Sequence, residues 1–262
     1  MSLPLYGKHV LITRGAGDGE KLAAQVKEYG GIPHVIPLID FKARTDKEDF
    51  EHRRKLFTYN WVIFTSKNGV RYFFEQVNNP PFHQIGNRLP FKIAVIGSKT
   101  KEFLQKQYGF EPDFMPAAFT ALDFAIEFLQ KVPNPGRVLI PQGNLAKDLI
   151  TKSLQSKNIY TDEWIVYTTF LPKKSIDILK KALLSFTFDF ALFTSPSAFQ
   201  HFIKALEIES VDFPEGMEIV SIGPATTRSI EAHGFKVSVS PEVHTMDSMI
   251  ESLKEYILSG RN

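Results

Sequence analysis

Six short stretches of this chain carry residue types that suit anion binding. They are Thr13-Arg14-Gly15, Thr65-Ser66-Lys67-Asn68-Gly69, Gly97-Ser98-Lys99-Thr100, Gln142-Gly143-Asn144, Thr194-Ser195-Pro196-Ser197 and Gly223-Pro224-Ala225-Thr226-Thr227. Each follows a short apolar run and precedes a helical pattern. A turn from strand to helix exposes free backbone N–H groups and the positive end of the helix dipole. Short hydroxyl and amide side chains add donors without adding charge. The candidates for ligand contact are therefore Thr13, Arg14, Ser66, Asn68, Gly69, Ser98, Thr100, Gln142, Gly143, Asn144, Ser195, Ser197, Gly223, Thr226 and Thr227. Any one of these positions alone is also an ordinary helix N-cap, because Ser, Thr and Asn are preferred there. Six such turns in one chain favour a ligand with several negative groups, and capping and binding can coexist.

Stronger catalytic signatures are missing. Gly15-Ala16-Gly17-Asp18-Gly19-Glu20 has Glu20 where a dinucleotide fingerprint needs its third glycine. There is no Walker A sequence, no HExxH and no Gly-x-Ser-x-Gly elbow. The sequence has no cysteine, which excludes a thiolate nucleophile, a disulfide framework and a Cys-rich metal site. Its 7 histidines are scattered, with none paired at metal-ligand spacing, so no metal site is expected. His9, His34 and His233 read as structural or solvent-facing. Lys42, Arg44, Arg53 and Arg54 are interleaved with acids and read as a solvated helix face. Phe73, Phe74, Phe103, Phe124 and Phe128 fall at helical spacing and read as core. The net charge of +2 argues against an extended nucleic-acid footprint. No apolar run reaches transmembrane length, and the first residues lack a signal-peptide core, so the cytoplasm is the default.

The elements that must position these turns repeat. Lys8-His9-Val10-Leu11-Ile12-Thr13 returns as Arg137-Val138-Leu139-Ile140-Pro141, Trp61-Val62-Ile63-Phe64-Thr65-Ser66 as Phe190-Ala191-Leu192-Phe193-Thr194-Ser195, and Ile93-Ala94-Val95-Ile96-Gly97 as Ile219-Val220-Ser221-Ile222-Gly223. The copies lie about 128 residues apart in one order, too long a period for a solenoid unit. At 262 residues the chain suits two similar domains, with a ligand cleft expected between them. Near-continuous apolar strands, at 10–12, 35–39, 61–65, 92–96, 138–140, 190–194 and 218–222, alternate with helices. This pattern predicts parallel sheets covered on both faces. Predicted helices cover 67–77, 99–108, 145–157, 196–206 and 225–233. Residues 46–59 read as an extra helix, and 120–131 and 245–258 close each half. The domains could be sequential, breaking near Pro133-Asn134-Pro135. They could also be exchanged, each half lending its first strand–helix unit to the other sheet. The equivalent extended segments 36–41 and 165–170 favour exchange, since they could run side by side as a two-stranded connector.

Taken together, Phe64-Thr65-Ser66-Lys67-Asn68-Gly69-Val70, Ile96-Gly97-Ser98-Lys99-Thr100, Val166-Tyr167-Thr168-Thr169, Phe193-Thr194-Ser195-Pro196-Ser197-Ala198 and Ile222-Gly223-Pro224-Ala225-Thr226-Thr227 resemble uroporphyrinogen-III synthases over almost the whole chain. The resemblance implies two α/β domains with exchanged first units and a two-stranded connector. Residues 1–37 plus 171–262 would form one domain and 38–170 the other. It implies dehydrating cyclisation of hydroxymethylbilane, a linear tetrapyrrole with eight carboxylates, to uroporphyrinogen III with inversion of ring D. No metal or organic cofactor is implied. Partners would be this substrate and hydroxymethylbilane synthase, by hand-over, with no nucleic acid or membrane and a monomeric state. Tyr167 matches the family tyrosine proposed to assist departure of the hydroxyl; the same position also suits a tyrosine packed in a strand. Two turns depart from the family: Gly15 stands where it usually has proline, and Gln142 where it often has arginine. Arg14, Lys67 and Lys147 are the cations left to compensate. The competing functions are a non-enzymatic two-lobe or regulatory binding protein for a small polyanion, and a nucleotide-using transferase, which the missing phosphate loop disfavours.

Overall fold

The computed structural model describes residues 3–15, 17–45, 47–77, 89–118 and 120–260. Ala16 of the glycine-rich stretch and Asp46 of the predicted helix 46–59 lie outside the described residues. In chain order the first elements are β1 (His9–Ile12), α1 (Asp18–Glu28), β2 (Ile32–Val35), β3 (Asp40–Ala43), α2 (Lys47–Lys55), β4 (Trp61–Phe64), α3 (Lys67–Val77), β5 (Lys92–Val95), α4 (Ser98–Tyr108) and α5 (Ala121–Lys131). They continue with β6 (Val138–Gly143), α6 (Leu149–Gln155), β7 (Thr161–Phe170), α7 (Lys173–Ser185), β8 (Phe190–Phe193), α8 (Pro196–Glu209), β9 (Glu218–Ser221), α9 (Pro224–Glu231) and α10 (Met246–Leu258).

The chain divides into two compact units, Met1–Asp40 with Phe170–Asn262, and Phe41–Thr169. The first holds a sheet of order β2-β1-β8-β9, the second one of order β3-β7-β6-β4-β5. β1 is parallel to both β2 and β8, with Val10 opposite Phe190. Of the two arrangements open to the sequence, the exchanged one is therefore present.

The central strands β1, β4 and β8 are buried because they are apolar throughout, whereas the edge strands β2 and β3 are partly or fully exposed. In the first unit, Val10, Ile12, Phe190 and Leu192 pack on Leu22, Val26, Met249 and Leu253. The alternating Leu11, Ala191 and Phe193 pack on Phe199, Phe202 and Ile230. In the second unit, Val62, Phe64 and Val95 face Phe73, Phe74 and Leu104, while Trp61, Ile63 and Ile140 face Phe124 and Phe128. Phe73, Phe74, Phe124 and Phe128 are thus core, and Phe103 is half-buried against it.

Several boundaries differ from the sequence reading. The strand predicted at 35–39 runs Ile32–Val35, and the connector strand predicted at 36–41 is Asp40–Ala43, an edge of the five-stranded sheet. Between them, Ile36 N and Leu38 N still donate to Ile12 O and Thr13 O, which drives both side chains into the first unit's core. The helix predicted at 46–59 stops at Lys55 and tightens into a 3-10 turn, Leu56–Thr58. The helix predicted at 145–157 starts only at Leu149, because the chain after β6 is tied back to β7. Asn144 N donates to Tyr167 O, and Asn144 Oδ1 accepts from Thr169 N at 2.7 Å.

His9 and His34 meet across β1 and β2. His9 Nδ1 lies 2.9 Å from His34 Nε2, with the ring planes inclined by 21°. That bond needs one N–H and one lone pair, so at most one ring of the bonded pair is charged. Burial, then the neighbouring His9, holds the His34 pKa below the usual histidine value. His34 and Lys181 line one surface groove, and Asp189 next to the histidine pair accepts from His9 N and pairs with Lys8. Above pH about 6.5 neither the folded nor the unfolded His34 is charged. As pH falls through that value the unfolded chain takes up the proton first, so stability is lost toward acid. The midpoint of thermal unfolding should drop between pH 7.5 and 5.5, and His34→Gln should flatten that slope. An equally steep slope in the variant would remove the pair as its source.

Candidate functional site

At the carboxyl ends of the second sheet lies a pocket of about 310 Å³. Thr65 and Ser66 come from the β4–α3 turn, Ile96 follows β5, and Gln142 to Lys147 follow or end β6, except Asn144. Tyr167 and Thr169 come from β7, Ile150 and Thr151 from α6, and Ala121 from α5. Open parallel sheets place ligands here, because the turns converge where the strands stop.

Tyr167 is set by a break in pairing. Gln142 stands opposite Ile165, but Gly143 stands opposite Tyr167, so β7 carries one extra residue at this point. Such a bulge re-aims the side chain beside it. The phenol is laid over Gly143, where a Cβ on residue 143 would sit 2.5 Å from two ring atoms and 2.8 Å from the phenol oxygen. Glycine is what admits the ring. Tyr72 stacks on it at 5.3 Å, and Phe41 meets it edge-on at 5.8 Å. No group among the described residues hydrogen-bonds the Tyr167 hydroxyl, which is left to donate to a ligand.

The pocket's other hydroxyls differ in what they have left to offer. Ser66 Oγ accepts from Gly69 N at 3.0 Å and keeps its own proton. Thr151 Oγ1 donates to Glu163 and is spent. Ile96, Ile140, Leu145 and Ile150 make the rest of the lining largely apolar.

Of the sequence candidates, Ser66, Gln142, Gly143 and Tyr167 come together in this pocket. Asn68, Gly69, Ser98, Thr100 and Asn144 do not line it. Gly69 is a close-packing position, since a Cβ there would lie 2.9 Å from Pro141 O. Thr100 is buried, Ser98 is exposed at the start of α4, and Asn144 holds β7. The remaining candidates belong to the first unit. Thr13 is buried, and its hydroxyl donates to Leu192 O at 2.8 Å, which ties β1 to β8 and leaves no proton for a ligand. Arg14 pairs with Asp18 at 2.8 Å and donates to Thr194 Oγ1 at 3.3 Å. Gly223 lies against the His244 ring, and its carbonyl accepts from Thr226 N and Thr227 N. Thr227 Oγ1 lies 2.6 Å from Ser221 Oγ. Ser197 Oγ lies 3.3 Å from Ser195 Oγ.

Ser195 caps α8, accepting from Ala198 N at 3.2 Å. Ser195→Ala should therefore cost about 1 kcal/mol of stability, as loss of an N-cap does. A lowered urea midpoint would check this. An unchanged midpoint with weaker ligand binding would give the hydroxyl to the ligand instead.

Thr65 and Thr169 line the pocket without being among the sequence candidates for ligand contact, and Lys147, one of the three cations left to compensate for Gln142, lines it as well. Thr169 had a signal: it stands two residues from Tyr167 on one strand and so shares its face. Among the described residues, no three or more His, Asp or Glu side chains are grouped to hold a metal, and no helix is long and apolar enough to cross a membrane.

The family model described as uroporphyrinogen-III synthase HemD matches residues 20–251. A porphyrin biosynthesis protein HemD of Ruminiclostridium josui is 29% identical over 259 residues, 97% of this chain and 50% of that protein. The chain thus spans half the length of that relative. A putative uroporphyrinogen-III synthase of Methanocaldococcus jannaschii is 29% identical over 248 residues, covering 94% of this chain and 97% of its own. Among solved structures, a mutant uroporphyrinogen III synthase of Thermus thermophilus shares the fold with a TM-score of 0.65 at 17% identity, over 97% of this chain and 100% of that one. With the family model covering most of the chain and the two-unit α/β architecture alike, this chain belongs to the uroporphyrinogen-III synthase family.

Proposed function

We propose that this protein cyclises hydroxymethylbilane to uroporphyrinogen III, losing water and inverting ring D. The observation that carries the reading is the Tyr167 hydroxyl, unbonded and laid over Gly143 in a hydroxyl-lined pocket. The leaving hydroxyl sits on a carbon next to an electron-rich pyrrole. Tyr167 O–H donates to that oxygen as the C–O bond breaks, and the bonding pair leaves with water. The pyrrole nitrogen supplies electrons to the carbon left behind, giving a delocalised azafulvenium cation. Ring D then attacks through its substituted α-carbon to give a spiro centre. The older bond from that carbon to the ring C methylene breaks, leaving an azafulvenium on ring C. This methylene bonds to the free α-carbon of ring D, which inverts the ring. The closed ring finally loses a proton, which restores the phenol. Atoms balance as a dehydration, with no change of oxidation state. Since bond breaking is intrinsically easy, the protein's main contribution is to hold the chain in a closing shape. Thr65, Ser66, Thr169 and Gln142 offer neutral contacts to the carboxylate arms, and the apolar wall suits the face of one substituted pyrrole.

The same reading makes the protein a carbon–oxygen lyase, working as a monomer in the cytoplasm with no metal or organic cofactor. Because hydroxymethylbilane also closes unaided to isomer I, hand-over from hydroxymethylbilane synthase fits the chemistry. The test is to generate hydroxymethylbilane enzymatically, add the protein, oxidise the products and separate the isomers. Isomer III in excess over the spontaneous isomer I is expected. Isomer I alone, with binding of the octacarboxylate uroporphyrin, would instead leave a binding protein.

A further inference from the structure

We infer that Lys147 is the carboxylate anchor of the Tyr167 pocket, fixing one acidic arm of the substrate by charge while the neutral hydroxyls orient the ring. The inference rests on the proposed substrate and adds a residue that sets its position. Of the side chains lining the pocket, Lys147 alone carries a charge. It is exposed, in the turn that leaves β6 immediately after Gly143. The acid next to it in sequence, Asp148, is occupied by Lys152 at 2.8 Å. The other cations left by the Gln142 departure fit less well. Arg14 belongs to the first unit and is held by Asp18, and Lys67, although it starts α3, is not among the lining residues.

The pocket's chemistry agrees with this division of labour. Ile96, Ile140 and Ile150 form a face that takes an aromatic ring but offers nothing to a carboxylate. Tyr167, Thr65, Ser66 and Thr169 can each donate one neutral hydrogen bond. A carboxylate brought against these walls without a counter-charge would be poorly compensated. A lysine at the rim supplies a mobile point charge on a long apolar stem, so it can meet an arm without occupying the ring site.

The test compares Lys147→Ala, Lys147→Arg and Lys67→Ala in steady-state assays with enzymatically supplied hydroxymethylbilane, at low and high salt. Lys147→Ala should raise KM about tenfold with a much smaller change in kcat, as loss of binding shared by ground and transition states does. Lys147→Arg should restore most of the affinity. Added salt should weaken the wild type more than Lys147→Ala, since a charged contact is screened. If Lys147→Ala keeps both KM and salt dependence, or if Lys67→Ala carries the loss, the anchor is not Lys147 while the cyclase reading stands. If the wild type forms no isomer III, the cyclase reading falls by itself. Equilibrium binding of uroporphyrin III to the wild type and Lys147→Ala then decides the anchor, and equal dissociation constants overturn it.

Discussion

Tyr167→Phe should lower kcat for isomer III formation at least about tenfold, since an essential general acid contributes about 10²–10⁴-fold. The substitution removes one oxygen and keeps the ring. Stacking on Tyr72, edge contact with Phe41 and packing over Gly143 can all persist. The hydroxyl has no hydrogen-bond partner among the described residues, so its loss strands no buried donor or acceptor. Stability should stay within about 1 kcal/mol. The residual product should still be isomer III, because ring inversion follows from the shape in which the substrate is held. Full turnover would pass the acid role to water or to a substrate carboxylate. A mutant that released linear product closing to isomer I would show a tyrosine that holds geometry and donates nothing.

Gly143→Ala should be as damaging to turnover as losing the phenol and should also destabilise the protein. The added methyl would stand 2.5 Å from the Tyr167 ring, a distance no relaxed contact tolerates. The ring must swing away, against Tyr72 and Phe41, or the β6–β7 bulge must open. Overpacking of this kind typically costs about 1–3 kcal/mol. Rate and stability should fall together here, unlike in Tyr167→Phe. Adding Tyr167→Phe to Gly143→Ala should lower kcat little further, because both changes remove one function. Two independent, multiplying losses in that double-mutant cycle would mean that Gly143 acts on the substrate itself.

Much of the architecture was legible because its signals are local. Val10-Leu11-Ile12 and Phe190-Ala191-Leu192-Phe193 read as strands buried on both faces, and each turned out to be split between two cores by simple alternation. Helix α7 is missing from the sequence reading, although Ile176 and Leu179 have helical spacing and are buried and the extra helix at 46–59 lies one repeat before it. Helix α6 was read too long, since nothing local shows that Asn144 is bonded to β7. The turn residues were correctly placed at strand ends, but their tasks were not separable. Thr13 and Ser66 are both short hydroxyls after an apolar strand, yet one holds Leu192 O and the other faces a pocket.

By itself the sequence determined the repeat, the class of sheet, the six strand-end turns and the exclusion of thiol chemistry. Each of these is a property of composition or of spacing within one segment. Tertiary structure alone decided the rest. An apolar strand such as β1 satisfies any parallel sheet covered on both faces, so only packing across the chain placed it beside β8 rather than β4. The shift between Gln142 and Gly143 is likewise a relation between two strands, and it carries Tyr167 over a glycine. A pocket is the empty space that several segments leave together, so which of Arg14, Lys67 and Lys147 reaches it has no signature in any one of them.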